Sequence, residues 1–246
     1  MRDQTIAMQI CRSLTGFGGY QQVLEVGAGT GVLSNYLYQN SNWNVWMIDI
    51  DPESVRYLKD KFPEAVERLI LGDFLKWRAA VIPGPFAIIG NFPYNISSQI
   101  FFRILELQRQ IPEVVCMLQK EVALRLVSKP GNRTYGILSV LLQAYYEMEY
   151  LFEVNPESFY PKPKVHSAVI RLQTLGKLHL DCNEKIFRSL VKQGFQNRRK
   201  TLRNALKAFN LPQEIRALEL LDLRAEQLAV KDYITLTKSI TPFWNL

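Results

Sequence analysis

Between residues 22 and 119, short apolar runs alternate with stretches of helical periodicity, and the first run ends in Glu25-Val26-Gly27-Ala28-Gly29-Thr30-Gly31. QVLEV (22–26) leads into GVLSNYLYQ (31–39), where Val32, Leu33, Tyr36 and Leu37 fall at helical spacing. WNVWMIDI (43–50), ERLILGD (67–73), FAIIGN (86–91) and EVVCMLQ (113–119) read as further buried strands. A helix is expected after Asp51 as N-cap, with Pro52 at its first position. Others are expected over 96–108, with Ile100, Phe101, Ile104 and Leu105 inward, and at EVALRLV. Strands separated by helices imply crossover connections, hence βαβ units and a parallel sheet.

Downstream the pattern changes twice. YGILSVLLQAYYEMEYLFEV (135–154) reads as a helix running into a strand, and VHSAVIRLQ (165–173) as another strand beyond the Pro-rich NPESFYPKPK. These two strands are expected to pair antiparallel across that loop. From about residue 177 only helical periodicity remains. The expected fold class is α/β, a Rossmann-like sheet that is parallel with a terminal antiparallel hairpin, in domain 1–176. A small all-helical C-terminal domain, 177–246, completes the chain.

Charge narrows the choice of partner. Of 30 Lys and Arg and 23 Asp and Glu, 13 and 7 lie beyond residue 175, so nearly all of the net +7 sits in the helical tail. A basic segment beside a near-neutral body suits a polyanion gripped mainly by the tail. With 48% hydrophobic and 22% charged residues the composition is that of an ordinary globular protein. No apolar run approaches the roughly 18 residues of a membrane helix, and MRDQTIAMQICRSL is too interrupted for a secretory signal. A cytoplasmic protein without a membrane partner is expected. Cys11, Cys116 and Cys182 are isolated and odd in number, which disfavours zinc and disulfides. His166 and His179 are also isolated and read as structural, so no metal is expected.

The glycines at 27, 29 and 31 let the backbone turn sharply and approach a ligand closely at a strand end. Val32 stands where a dinucleotide fingerprint would have its third glycine. Glu25, directly before the turn, suits a cationic, zwitterionic ligand better than a pyrophosphate. Asp49, about 20 residues on, can accept hydrogen bonds from ribose hydroxyls, with Ile50 beside it. Asp73 in GDF can accept from an adenine amine, with Phe74 adjacent. Three acids at successive strand ends describe an adenosine pocket without phosphate binders, which is the shape of S-adenosylmethionine.

The fourth strand ends in Asn91-Phe92-Pro93-Tyr94. An adenine amine is a poor nucleophile because its lone pair is delocalised into the ring. If the Asn91 side-chain oxygen and the Phe92 carbonyl accept its two N–H bonds, the lone pair turns toward a methyl donor and developing positive charge is stabilised. Tyr94 can stack on the base, which must be unpaired or flipped out to reach it. The catalytic candidates are therefore Asn91, Phe92, Pro93 and Tyr94.

These motifs, together with MLQKEVALRLV, YGILSV, SFYPKPKVHSAVIRL and FQNRRKTLRNAL, resemble the ribosomal RNA adenine dimethyltransferases. The closest resemblance is to the bacterial KsgA type acting on small-subunit RNA, and it runs over nearly the whole chain. It implies a class I methyltransferase sheet, cofactor contacts at Gly27, Asp49, Asp73 and Asn91, and target-base contacts at Asn91, Tyr94 and Phe159. It also implies transfer of two methyl groups to each of two adjacent adenosines near the 3′ end of small-subunit rRNA. The family places a basic arm and a GQ-x-F-L segment ahead of its first helix. Here the sequence starts at about that helix, and weak cofactor binding with low activity is expected of the chain as written.

Residues 183–209 are expected to form one amphipathic helix, with Lys192, Gln196, Arg199, Arg203 and Lys207 on its polar face. Such a stripe can track phosphates with little sequence readout, and Arg198, Arg199, Lys200 and Arg203 are the RNA-binding candidates. The partner expected is the small ribosomal subunit and its rRNA, met by a monomer. Two alternatives stay open: a large-subunit rRNA adenine methyltransferase of the macrolide-resistance type, and a non-catalytic ribosome-assembly factor. A small-molecule methyltransferase leaves the basic tail and the NFPY tetrad unexplained.

Overall fold

Seven strands form one sheet in the computed structural model, which describes residues 3–176, 179–209 and 211–244. They are β1 (Gln22–Val26), β2 (Asn44–Asp49), β3 (Leu69–Leu71), β4 (Phe86–Asn91), β5 (Glu113–Gln119), β6 (Tyr146–Val154) and β7 (Ser167–Thr174). Their spatial order is β3-β2-β1-β4-β5-β7-β6. All neighbours are parallel except β7, which runs antiparallel to both β5 and β6. The expected α/β class, with its terminal antiparallel hairpin, is what the chain adopts. Phe86 to Ile89 of β4 and Val114 to Leu118 of β5 are fully buried, as continuous apolar runs in a covered sheet should be.

The helices are α1 (Gln4–Arg12), α2 (Ser34–Leu37), α3 (Pro52–Lys61), α4 (Ser97–Glu106), α5 (Lys120–Leu126), α6 (Ile137–Gln143), α7 (Glu184–Gln196), α8 (Leu202–Ala205), α9 (Gln213–Arg216) and α10 (Val230–Ile240). Asp51 caps α3 by accepting from Glu53 N (3.2 Å) and Ser54 N (3.0 Å), with Pro52 opening the helix. Gly31 delays α2: its N–H closes a turn on the Ala28 carbonyl at 2.8 Å, so regular helix starts only at Ser34. β3 is shorter than expected because residues 63–68 wind into a 3₁₀ turn first. Among the described residues no helix is long and apolar enough to cross a membrane.

The described residues fall into two compact units. One comprises Met1–Ala123 with Tyr146–Gly176, the other Leu124–Tyr145 with Lys177–Leu246. The uninterrupted domain 1–176 expected from the sequence differs from these units in residues 124–145, which group with the C-terminal helices. The buried face of α6 (Val140, Leu141, Leu142) packs with α7 and α10, drawing residues 124–145 into the helical unit. The expected junction at 176/177 falls beside residues 177–178, outside the described residues.

The single helix expected over 183–209 is also corrected. α7 stops at Gln196, and Thr201 is extended (φ −64°, ψ 157°), forming a β-bridge with Arg224. The Leu202 N–H donates to the Leu223 carbonyl at 2.8 Å. This tertiary pairing takes the backbone of residues 197–201 out of helical geometry, although apolar residues on both sides still face one core.

In the sheet unit, buried Glu113 gathers four donors at the start of β5. They are Thr15 N (3.0 Å), Thr15 Oγ1 (2.8 Å), Tyr20 Oη (2.7 Å) and Gln173 Nε2 (3.0 Å). A carboxylate is tolerated there because its lone pairs are filled. The clamp fixes the loop that feeds β1.

Candidate active site

The chain runs outward from β1 to β3 and then returns to β4 on the other side of β1. That reversal opens a crevice at the carboxyl ends of β1 and β4, where ligands bind in such sheets. Gly27 (φ 73°) and Gly29 (φ 55°) adopt left-handed backbone there, and a Cβ on either would meet nothing within 4 Å. The loop therefore presents open backbone toward the crevice. Gly31 is glycine for a different reason, since a Cβ would lie 2.7 Å from the Phe62 ring.

Asp49, at the end of β2, ties the crevice wall together. Its carboxylate accepts from Gly29 N at 2.7 Å and Asp51 N at 2.9 Å, and its carbonyl accepts from Gly72 N at 2.9 Å. Ile50 next to it is 67% exposed, an apolar side chain left open at a strand end. Asp73 lies just past β3, half-buried, and its Oδ1 accepts from Leu75 N at 2.9 Å. Asp49 and Asp73 thus stand at the carboxyl ends of two neighbouring strands.

Asn91 ends β4 beside Met117 of β5, and the Phe92 N–H donates to the Met117 carbonyl at 2.9 Å. The Phe92 ring is 1% exposed and meets Phe101 of α4 edge-on at 5.8 Å, which anchors the tetrad's backbone. No hydrogen bond to the Asn91 side-chain amide is present among the described residues. Tyr94 is held at both ends: its carbonyl accepts from Ser97 Oγ at 3.3 Å, and its hydroxyl lies 2.5 Å from Ser167 Oγ. Asn91, Phe92, Pro93 and Tyr94 line one cleft of about 340 Å³ with Phe159, Pro161 and Pro163. The Pro-rich loop thus delivers Phe159 to the tetrad across more than sixty residues of sequence.

Four expected site residues are placed otherwise. Glu25 is 2% exposed, with Oε2 accepting from Ser34 Oγ at 2.5 Å, so it braces the glycine loop from beneath. Burial pushes its carboxyl up to about 8, against the opposing pull of the Ser34 hydrogen bond. Phe74 is buried and stacks toward Trp77 (6.5 Å between ring centroids), leaving no open face for a base. In the helical unit Arg198 donates to the Arg133 carbonyl, and Arg203 pairs with Asp222 at 2.7 Å and donates to the Arg216 carbonyl. These two cations serve internal contacts. Arg199 and Lys200 are exposed.

Sequence reasoning missed Ser34, Ser167 and Glu113, all buried polar residues whose partners lie 9 to 98 positions away. Nothing local distinguishes them from other serines and glutamates. Burial pushes the thiols of Cys11 and Cys116 up, keeping them unreactive. A separate cavity of about 700 Å³, lined by Cys11, Arg12, Tyr36 and Trp43 among others, opens near the segments that enter β1 and β2 and contains none of the candidate residues.

Comparison with known proteins decides the family. Residues 1–242 match the family described as "Ribosomal RNA adenine dimethylase". The chain belongs to the ribosomal RNA adenine dimethylase family. Within it, the chain is similar to a protein of Cytophaga hutchinsonii named "Ribosomal RNA small subunit methyltransferase A", at 52% identity over 98% of this chain and 94% of that one. A protein of the same name from Flavobacterium johnsoniae is 49% identical, over 98% and 92%. Among solved structures, a dimethyladenosine transferase from Plasmodium falciparum superposes with a TM-score of 0.84 at 24% identity, over 99% and 98% of the two chains. The 23S rRNA methyltransferase ErmE gives 0.70 at 24%, over 96% and 98%. At those identities the two structures speak to the fold, which is the class I methyltransferase fold in this family member too.

Proposed function

We propose that this chain moves methyl groups from S-adenosylmethionine to the exocyclic amine of two adjacent adenosines near the 3′ end of small-subunit (16S) rRNA, in small-subunit biogenesis. Membership of the adenine dimethylase family and identities near 50% with small-subunit methyltransferases support an enzyme of this class. The observation that carries the site assignment is the cleft in which Asn91 and Tyr94 meet Phe159, on the strand next to the one that ends in the glycine loop.

The crevice residues fit the cofactor. Open backbone at Gly27 and Gly29, the Asp49 carboxylate and the exposed Ile50 side chain suit a nucleoside with a ribose edge and an apolar base face. Asp73 would take the adenine amine, and Glu25 would act through Ser34 and the loop it supports. When bound, S-adenosylmethionine supplies an electrophilic methyl group on a sulfonium.

The chain's own residues do the rest. The Asn91 side-chain oxygen and the Phe92 carbonyl accept the target amine's two N–H bonds, freeing its lone pair from the ring. The same acceptors stabilise charge that grows on nitrogen, and they are preorganised because Phe92 is anchored against Phe101. Pro93 holds the turn. Tyr94 and Phe159 sandwich the flipped base and exclude water from it. Neither a metal nor a strong base is needed, since the N–H becomes acidic on alkylation. The helical unit holds the RNA, with Arg199 and Lys200 on phosphates. The enzyme works as a monomer in the cytoplasm.

The test is incubation of the chain with labelled cofactor and separated, previously unmethylated ribosomal subunits, followed by mapping of the modified nucleotides. Dimethyladenosine in small-subunit RNA is expected. Label confined to large-subunit RNA, or subunit binding with no label, overturns the proposal.

A further inference from the structure

Two loops of the helical unit, far apart in sequence, are fastened to each other by Arg198. The loop Lys129–Arg133 receives its guanidinium through the Arg133 carbonyl, and the Gly131 N–H of the same loop donates to the Glu226 carbonyl at 2.7 Å. Glu226 closes the arrangement, with Oε2 3.7 Å from Arg198 Nε. The residues next to Arg198 in the turn after α7 are Arg199 and Lys200, both exposed. Lys129 and Arg133 on the fastened loop are exposed as well, and none of these four side chains makes an ion pair among the described residues.

We infer that Lys129 and Arg133 join Arg199 and Lys200 in one phosphate-binding surface for RNA, and that Arg198 is the splint that holds its two halves together rather than a phosphate contact. The inference rests on the proposed RNA substrate and adds a second strip of chain to its binding face. Charge complementarity names the occupant. Four cations on adjoining turns, with no carboxylate paired to them among the described residues, favour a polyanionic backbone, and an RNA duplex carries phosphates at a regular spacing that two neighbouring loops can follow. Arg198 is committed to this internal tie, its Nη2 donating to the Arg133 carbonyl and its Nε facing the partly buried Glu226 carboxylate. A planar fork is what bridges such a pair, and lysine cannot reproduce it.

The full chain is tested on unmethylated small ribosomal subunits across a salt series, with methyl transfer measured alongside. Lys129→Gln combined with Arg133→Gln is expected to weaken binding roughly tenfold and to flatten the log–log salt slope by about 1.5, as loss of two phosphate contacts requires. Arg198→Lys keeps the charge but loses the fork. It is expected to weaken binding as much as Arg198→Ala does, and to speed amide hydrogen exchange over residues 129–133. A double variant with the wild-type slope overturns the surface, and so does an Arg198→Lys chain that binds and exchanges like wild type. If the wild-type chain binds subunits without methylating them, the enzymatic reading fails while the salt slopes still judge the surface.

Discussion

The Tyr94 hydroxyl lies 2.5 Å from the Ser167 hydroxyl, 73 positions away in the chain. Tyr94 follows the β4 strand end, and Ser167 opens β7, the one antiparallel strand between β5 and β6. Through this bond the hairpin at the sheet's far edge fixes the ring proposed to stack on the target base. Tyr94→Phe and Ser167→Ala should each lower kcat/KM by about fivefold, the worth of about 1 kcal/mol in one neutral hydrogen bond. The double variant should lose little more than either single one. Strictly additive losses in a double-mutant cycle would show that the bond does not position Tyr94.

Among the described residues Asn91 has no partner for its side-chain amide, so its removal leaves none of their buried groups unsatisfied. Asn91→Ala should keep its melting temperature and its affinity for small subunits while kcat falls by about 10²–10³-fold, the cost of one charge-stabilising contact. Single-turnover methyl transfer beside a binding titration separates the two effects.

Glu25 should give the fold a pH dependence whose sign follows from its burial. Burial raises its carboxyl from 4.5 to about 8, so between those values the folded chain holds a proton that the unfolded chain has released. Stability should therefore fall as pH rises from about 5 to 8, by on the order of a few kcal/mol. Glu25→Gln should remove most of that slope. Denaturant melts of both chains across this range provide the check, and parallel curves would contradict the assignment.

Two glycines near the crevice should separate folding from binding. A Cβ at Gly90 would lie 2.5 Å from the Val26 carbonyl oxygen, backbone that cannot move without parting β1 from β4. Gly90→Ala should lower the melting temperature by roughly 5–10 °C. Gly27→Ala meets open space and adds only the strain of a left-handed alanine, about 1–2 kcal/mol. Its larger effect should be on cofactor affinity, at least tenfold by titration calorimetry, because the methyl group occupies the ligand's approach.

Local patterns announced the strand ends. The glycine turn after β1, Asp49 after β2, Asp73 after β3 and the NFPY tetrad after β4 were all legible, because each is a short contiguous motif whose position follows from hydrophobic periodicity. The same periodicity misjudged the tail. Apolar residues on either side of Asn197–Lys200 continue a helical rhythm, yet the Thr201–Arg224 bridge breaks the helix between them. It also left residues 124–145 with the first domain, since nothing in YGILSVLLQ says which unit its buried face will join.

What the chain's order of residues determined alone was the layered α/β architecture with its terminal antiparallel hairpin, and the short motifs that follow the strands. Periodicity and backbone stereochemistry act over a few residues, and they suffice for that. Only the tertiary structure decided which polar groups are spent internally and which stay open. Glu25 turned inward to Ser34, Phe74 turned into the core, Arg198 and Arg203 became ties within the helical unit, and Phe159 arrived beside Tyr94. Each of these outcomes is set by burial and by a partner distant in sequence, and both come into being only when the chain has folded.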